Sequence, residues 1–141
     1  MEFSLDNQTQ YDIDLKLLEQ IALTLSTKDI ELVISHNDYI QDINLQFRQK
    51  DTPTDVLSFP YEDMPMMPLG SIVISVDFVE EKSILYKHTF DEELALLFIH
   101  GVLHLVGYDH EIDNGEHREK EEELIKKFNL PDSLIVRTNK G

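Results

Sequence analysis

Three histidines lie close together in the stretch FIHGVLHLVGYDHE, residues 98–111. His100 and His104 are four residues apart, so on an α-helix they differ by only about 40° around the axis and share one face. That is the spacing of two ligands of one metal ion. His110 can join them only if the helix ends first, and Gly107 provides an end because glycine adopts the left-handed conformation of a C-terminal cap without a Cβ penalty.

A single histidine on an apolar helix is usually a core residue whose ring nitrogens have found partners. Two at this spacing, followed by a third, each need a polar edge satisfied inside the protein, and one shared cation satisfies all three. Imidazoles suit Zn²⁺, Ni²⁺, Cu²⁺ and Fe²⁺, and three protein nitrogens with an open position describe a catalytic zinc site. The sequence therefore predicts one Zn²⁺, with Ni²⁺ or another divalent ion as the alternative, which would activate a bound water.

The histidine spacing, H-x3-H-x2-G-x2-H, equals that of the metzincin proteases. Those proteases carry a general-base glutamate directly after the first histidine, where this chain has Gly101. Peptide hydrolysis would need a base from elsewhere, and Asp109 and Glu111 are the candidates. A residue beside a metal ligand more often orients that ligand than acts as a base, so Asp109 has both interpretations. A metallopeptidase-like enzyme or another zinc hydrolase remains an alternative.

The composition narrows the class of protein. The 141 residues include no cysteine, which leaves histidines and carboxylates as metal ligands. The net charge of −16 argues against a broad nucleic-acid surface, so RNA binding would need a local basic cleft or a bound cation. The start of the chain resembles no signal peptide, and no stretch approaches the roughly 20 apolar residues that span a bilayer. We expect a soluble cytoplasmic protein with no membrane association.

Hydrophobic periodicity predicts strands and helices that alternate in the first half of the chain, with helices dominating the second. The predicted strands are 1–9, which suits a sheet edge, 29–35, 55–59 and 71–76. The predicted helices are 12–25, 37 or 38 to about 48–50, 77–87, one from 90 or 91 that bears the histidines, and 116–128. The pattern indicates a single α+β (α/β-like) domain, residues 1–141, in which a mixed sheet packs against helices and a metzincin-like central helix carries the metal ligands.

Local signals predict how these elements begin and what surrounds them. Asn37 or Asp38, and Asp113 or Asn114, are predicted helix caps, and residues 89–92 match a capping box. The Pro- and Met-rich residues 62–70 are interpreted as a surface connector, with a methionine-lined binding lip as the alternative. The run REKEEE, residues 118–123, is interpreted as a solvated face. Three further histidines lack ligand spacing and are expected at the surface: His36, His88 and His117.

Three stretches resemble the YbeY endoribonucleases, the bacterial rRNA maturation factors. They are HGVLHLVGYDH (100–110), FRQKDTPTDVLSFPYE (47–62) and LGSIVIS (69–75). The resemblance implies a mixed sheet with surrounding helices, one zinc ion on His100, His104 and His110, and a role in maturing the 3′ end of small-subunit rRNA and in ribosome quality control. It also implies a role for Arg48 in the RNA cleft. Ser71 departs from the family, which usually has aspartate there.

The sequence thus predicts a zinc-dependent single-strand endoribonuclease, with ribosomal RNA and the small ribosomal subunit or its associated proteins as partners. Arg48 is expected to hold a phosphate bidentately, although without the resemblance it would be a solvated surface group. Thr54 and Asp55 are expected to be structural. A different class of protein stays open, a ribosome assembly factor whose metal is structural.

Overall fold

One mixed sheet organises the ranges that this computed structural model describes, residues 2–62, 64, 66–108 and 113–131. Its spatial order is β1-β2-β4-β3; β1 and β4 pair parallel with β2, and β3 runs antiparallel to β4 at one edge. The α+β class and the edge position of the first strand are confirmed. The strands are β1 (Phe3–Asn7), β2 (Ile30–Ser35), β3 (Val56–Pro60) and β4 (Gly70–Ser75).

Five helices within the described ranges surround this sheet, each where periodicity predicted one and with ends displaced by a few residues. None of them is long and apolar enough to cross a bilayer. They are α1 (Leu15–Leu23), α2 (Asn37–Arg48), α3 (Val76–Leu85), α4 (Phe90–Leu105) and α5 (Glu116–Lys127).

The two faces of the sheet are covered by different helices, because side chains alternate along each strand. On β4, Ile72 and Ile74 face the main core, which contains residues of α1, α3, α4 and α5. Val73 points the other way and packs with Leu57 and with Ile40 of α2. The sheet therefore separates α2 from α4, the helix that bears the clustered histidines.

Helix α4 is the buried centre of the fold, as its apolar sequence predicted: every residue from Glu93 to Leu103 is buried. The predicted capping box is present, since Thr89 Oγ1 accepts from Glu92 N at 3.1 Å and Glu92 Oε1 accepts from Thr89 N at 2.9 Å. The helix ends at Leu105, and Gly107 follows with a φ of 106°. The helix end predicted from that glycine is confirmed.

The predicted cap of α2 was wrong. Its N-cap residue is His36, which makes no side-chain capping bond, and the Asn37 side chain instead accepts from Ser75 Oγ at 2.7 Å. The first turn is satisfied from another helix, because Asp77 Oδ2 accepts from Asn37 N at 2.7 Å. A partner forty residues away leaves no local sequence signal.

The start of α5 is organised by Asp113, one of the two residues predicted to cap it. The N-cap residue itself is Gly115, with a φ of 104°, and it has no capping side chain. The Asp113 carboxylate accepts from Gly115 N at 2.9 Å and from His117 N at 3.0 Å. Asp113 therefore satisfies first-turn N–H groups from outside the helix, and it fixes the backbone of His117.

Candidate metal centre

Helix α4 places two imidazoles side by side, one turn apart. The Nε2 atoms of His100 and His104 are 3.2 Å apart, and their ring centroids are 4.8 Å apart at an interplanar angle of 73°. His100 is 9% exposed and His104 is half-buried. The cluster therefore has one histidine at the core and one towards solvent.

Helix α5 adds a third imidazole, which the sequence analysis placed at the surface. That prediction was wrong: His117 is fully buried. Its ring stacks on His100 with centroids 4.8 Å apart at 26°, and it meets His104 edge-on at 4.9 Å and 90°. One ligand nitrogen from each of the three histidines lies within 4.8 Å of the others.

A buried carboxylate lies behind two of these rings. Glu121 is 0% exposed, and its Oε2 is 3.1 Å from His100 Nδ1 and 3.6 Å from His117 Nε2. The interpretation of REKEEE as a solvated face was therefore wrong for its fourth residue. It holds for Arg118 and Glu122, which form an ion pair of 3.3 Å with side chains 50% and 45% exposed.

The cluster suits a divalent cation. Nitrogens at 2.0–2.1 Å from a tetrahedral Zn²⁺ lie about 3.3 Å apart, and the two Nε2 atoms of His100 and His104 are at 3.2 Å. A positive ion would also compensate the charge of Glu121, which a neutral imidazole cannot do. His100, His104 and His117 could thus bind one metal ion, and imidazole donors suit Zn²⁺, Ni²⁺, Cu²⁺ and Fe²⁺ alike.

Several residues that the sequence predicted for the site are not among these three clustered histidines. His110 and Asp109, together with Glu111, lie outside the described residues. Arg48 is exposed and is the last residue of α2. Within the described ranges no hydrogen bond or ion pair links Arg48 to the histidines, so its role in binding phosphate stays a prediction.

The two remaining histidines differ in their surroundings. His36 has a side chain 53% exposed and contacts Asp77 at 3.1 Å, so its predicted surface position is confirmed. The prediction was wrong for His88, whose side chain is 11% exposed, with Nδ1 3.4 Å from Oε1 of the buried Glu93. The contact of His88 with Glu93, in the first turn of α4, explains this burial without a metal.

Gly101 lies on the face of α4 that packs against the sheet. Ser58 Oγ donates to the Gly101 carbonyl at 3.1 Å. A Cβ atom at residue 101 would lie 3.1 Å from Ser58 Oγ and 3.2 Å from Ile72 Cγ2. Metzincins carry their general base at this position. Here Ser58 and Ile72 of the sheet occupy the space beside the glycine, which leaves no room for a glutamate side chain and counts against a peptidase.

Comparisons with known proteins agree on one family. A family model described as Endoribonuclease YbeY matches residues 3–129. Curated proteins named Endoribonuclease YbeY include one from Aliarcobacter butzleri, 63% identical over 137 residues that cover 96% of this chain and 98% of that protein. Another, from Campylobacter jejuni, is 58% identical over 122 residues, covering 86% of this chain and 90% of its own length.

A solved structure agrees with these comparisons. The solution structure of a Thermotoga maritima protein matches with a TM-score of 0.62 and 31% identity, covering 89% of this chain and 88% of that one. The same fold is therefore present at much lower sequence identity than in the curated relatives.

Proposed function

This chain belongs to the endoribonuclease YbeY family, which makes it a hydrolase that acts on RNA, and we propose that it is a zinc-dependent, single-strand endoribonuclease. We propose further that it acts in 3′-end maturation of small-subunit rRNA and in ribosome quality control. The observation that supports a metal-dependent reaction most strongly is the pair of Nε2 atoms, on His100 and His104, that lie 3.2 Å apart.

In this proposal His100, His104 and His110 hold the ion, with His117 beside them. His110 enters through its spacing and the family resemblance. A divalent cation in this position supplies Lewis-acid stabilisation for the negative charge that develops on a phosphodiester during cleavage. The protein's own contribution is to keep the nitrogens converged, which the buried faces of α4 and α5 do through packing.

Arg48 is the proposed phosphate-binding residue. Its guanidinium presents donors in a fork that matches two phosphate oxygens, and Lys50 lies two residues beyond it. Both side chains are exposed and free to reach a ligand. In a chain with a net charge of −16, such a local basic patch is the means by which RNA would be held. Unchanged RNA affinity in Arg48→Ala and Lys50→Ala variants would remove the patch from the proposal.

Two nucleophiles are open to this chemistry, and the products distinguish them. Attack by water leaves a linear phosphate end, with Asp109 as a candidate to accept the proton or to orient His110. Attack by the substrate's own 2′-hydroxyl leaves a 2′,3′-cyclic phosphate. Mass spectrometry of the cleaved ends therefore assigns the nucleophile.

The test is cleavage of a single-stranded RNA that carries the 3′ end of small-subunit rRNA. His104→Ala should bind less zinc and cut no faster than a sample without enzyme, because it removes the more exposed ligand. His36→Ala is the matched control, since it removes an exposed histidine elsewhere and should cut normally. Circular dichroism establishes that both variants are folded. A folded His104→Ala protein that cuts RNA with the metal gone would contradict the proposal.

The alternative of an assembly factor with a structural metal has one observation in its favour, namely that the cluster joins α4 to α5. It predicts loss of fold, rather than loss of cleavage alone, when the metal is removed. Under either hypothesis the proposed partners are ribosomal RNA and the small ribosomal subunit or its associated proteins, and the proposed location is the cytoplasm.

A further inference from the structure

We propose that Glu121 is the positioning residue of the metal centre: its carboxylate fixes the imidazole of His100 so that Nε2 faces the ion, and it keeps His117 against that ring. The ion is taken from the proposed function, whereas the RNA substrate is not required. The inference concerns one buried carboxylate on α5 that contacts two histidines of the cluster at once.

The first step is the protonation pattern of His100. An ionised carboxylate only accepts hydrogen bonds, so the His100 nitrogen 3.1 Å from Glu121 Oε2 must be the one that carries the proton. That nitrogen is Nδ1, which leaves the lone pair of a neutral ring on Nε2. This second nitrogen lies 3.2 Å from His104 Nε2, so the available lone pair points to where the ligands converge.

The second step concerns His117, which lies one helical turn before Glu121 on the same face of α5. Its Nε2 is 3.6 Å from the same Oε2, too long for a hydrogen bond but within electrostatic range in a buried site. The ring stacks on His100, with centroids 4.8 Å apart. Glu121 therefore lies in contact with both stacked rings, and α5 fixes its distance from His117.

The third step concerns the negative charge of the Glu121 carboxylate. Glu121 is 0% exposed, and a carboxylate removed from water is strongly unfavourable unless a positive group compensates it. Two of the groups that contact it are imidazoles, which donate hydrogen bonds when neutral but carry no charge. A cation on the far nitrogen of His100 would supply the charge through the ring, which is the carboxylate–histidine–metal arrangement that raises ligand basicity.

The experiment measures the zinc affinity of the purified full chain by competition with a chromophoric chelator. Glu121→Gln keeps the size of the side chain but removes its charge, so affinity should fall about 10–100-fold. Glu122→Gln is the matched control, with the same change at the next residue of α5, in an exposed pair with Arg118. Its affinity should stay within about twofold of the wild type, because exposed ion pairs contribute little.

Wild-type affinity in a folded Glu121→Gln protein would overturn the inference. A second measurement needs no variant: long-range ¹⁵N correlations of the histidine rings in the metal-free wild type, at about pH 8, where free imidazole is neutral. They should show His100 protonated at Nδ1, and a proton on Nε2 instead would overturn the inference even if Glu121→Gln did not fold.

These readouts keep the inference and the proposed function apart. A wild type that binds zinc but cuts no RNA contradicts the proposed function and leaves the role of Glu121 standing. A wild type that binds neither zinc nor another divalent ion contradicts the proposed metal and this inference with it, whereas a proton on His100 Nε2 in a wild type that binds zinc contradicts the inference alone.

Discussion

Gly101 is the residue that most clearly separates this site from a protease site. It sits between the two turns of α4 that carry His100 and His104, yet it faces the sheet. A side chain there would meet Ser58 and Ile72 at 3.1–3.2 Å, a distance at which the neighbours must move. The glycine lets the helix that carries His100 and His104 lie directly on the sheet, so the absence of a glutamate follows from packing.

Gly101→Glu restores the protease motif but should not create a peptidase. We expect its free energy of unfolding to fall by about 3 kcal/mol, because overpacking and a buried carboxylate both oppose folding. Gly101→Ala is the control: its gain in helix propensity of about 1 kcal/mol offsets part of the steric cost. Urea unfolding measures both, and a Gly101→Glu protein as stable as the wild type would contradict this account of the packing.

The residues of the site were predictable only in part. The spacing of His100 and His104 is a local signal and placed them together on one helix. His117 and Glu121 also carried a signal, since they fall at helical spacing on the face of α5 that buries Leu124 and Ile125. This spacing did not predict their burial, because a histidine and a glutamate in a charged helix are usually solvated. The carboxylate's partner is on another helix, which no local pattern reveals.

At the level of whole elements, α2 depends on α3 for its first turn. The Asp77 carboxylate on α3 accepts from Asn37 N at 2.7 Å and contacts His36 at 3.1 Å. Burial raises the pKa of Asp77, but the hydrogen bonds from Asn37 and His36 lower it more, so its pKa lies below the ordinary value of 3.8. The charged form is therefore favoured by folding.

Asp77→Ala should lower the free energy of unfolding at pH 7 by about 0.5–1 kcal/mol, the lower part of the range for helix caps, since this side chain is 39% exposed. A depressed carboxyl pKa gives a contribution that is fully present above pH 3.8 and is lost as the pH falls through the folded-state value. The difference between wild type and variant in thermal unfolding should therefore shrink below that pH. Asp38→Ala removes an exposed acid from the first turn of α2 itself and should show a smaller effect; an equal effect would contradict the capping role of Asp77.

Elements were more predictable than their arrangement. Hydrophobic periodicity is a property of the residues within one element. Every helix and strand in the described ranges could therefore be predicted from its own segment of sequence. The order β1-β2-β4-β3 and the reversal of β3 depend on pairings between distant strands, so the sequence indicated a mixed sheet but not its topology. The predicted cap of α2 failed for a related reason, because its N–H partner Asp77 is forty residues away, whereas the local partner of α5, Asp113, was one of the two residues predicted.

The whole molecule should be stabilised by the proposed metal ion but should fold without it. The main core joins residues of α1, α3, α4 and α5 with the sheet, and a chain of this length buries enough apolar surface to fold unaided. The histidine cluster is one contact among many between α4 and the rest of the protein. The structure therefore favours a folded protein in the absence of metal.

If the chain binds zinc as proposed, removing the ion with a chelator should lower the melting temperature by roughly 10 °C. Zinc at a hundred times its Kd stabilises the native state by about 2.7 kcal/mol, and each kcal/mol shifts a domain of this size by about 4 °C. The shift should disappear in His104→Ala, which lacks a ligand. Complete unfolding at about 25 °C on chelation would instead support the structural-metal alternative.

The link between His100 and Glu121 also has a consequence during synthesis. The two residues are 21 positions apart, so at 5–20 residues per second the carboxylate is added about one to four seconds after the histidine. The histidine cluster can therefore form only after residue 121 has been added and α5 has packed against α4, so it depends on contacts between helices and not on helix formation alone.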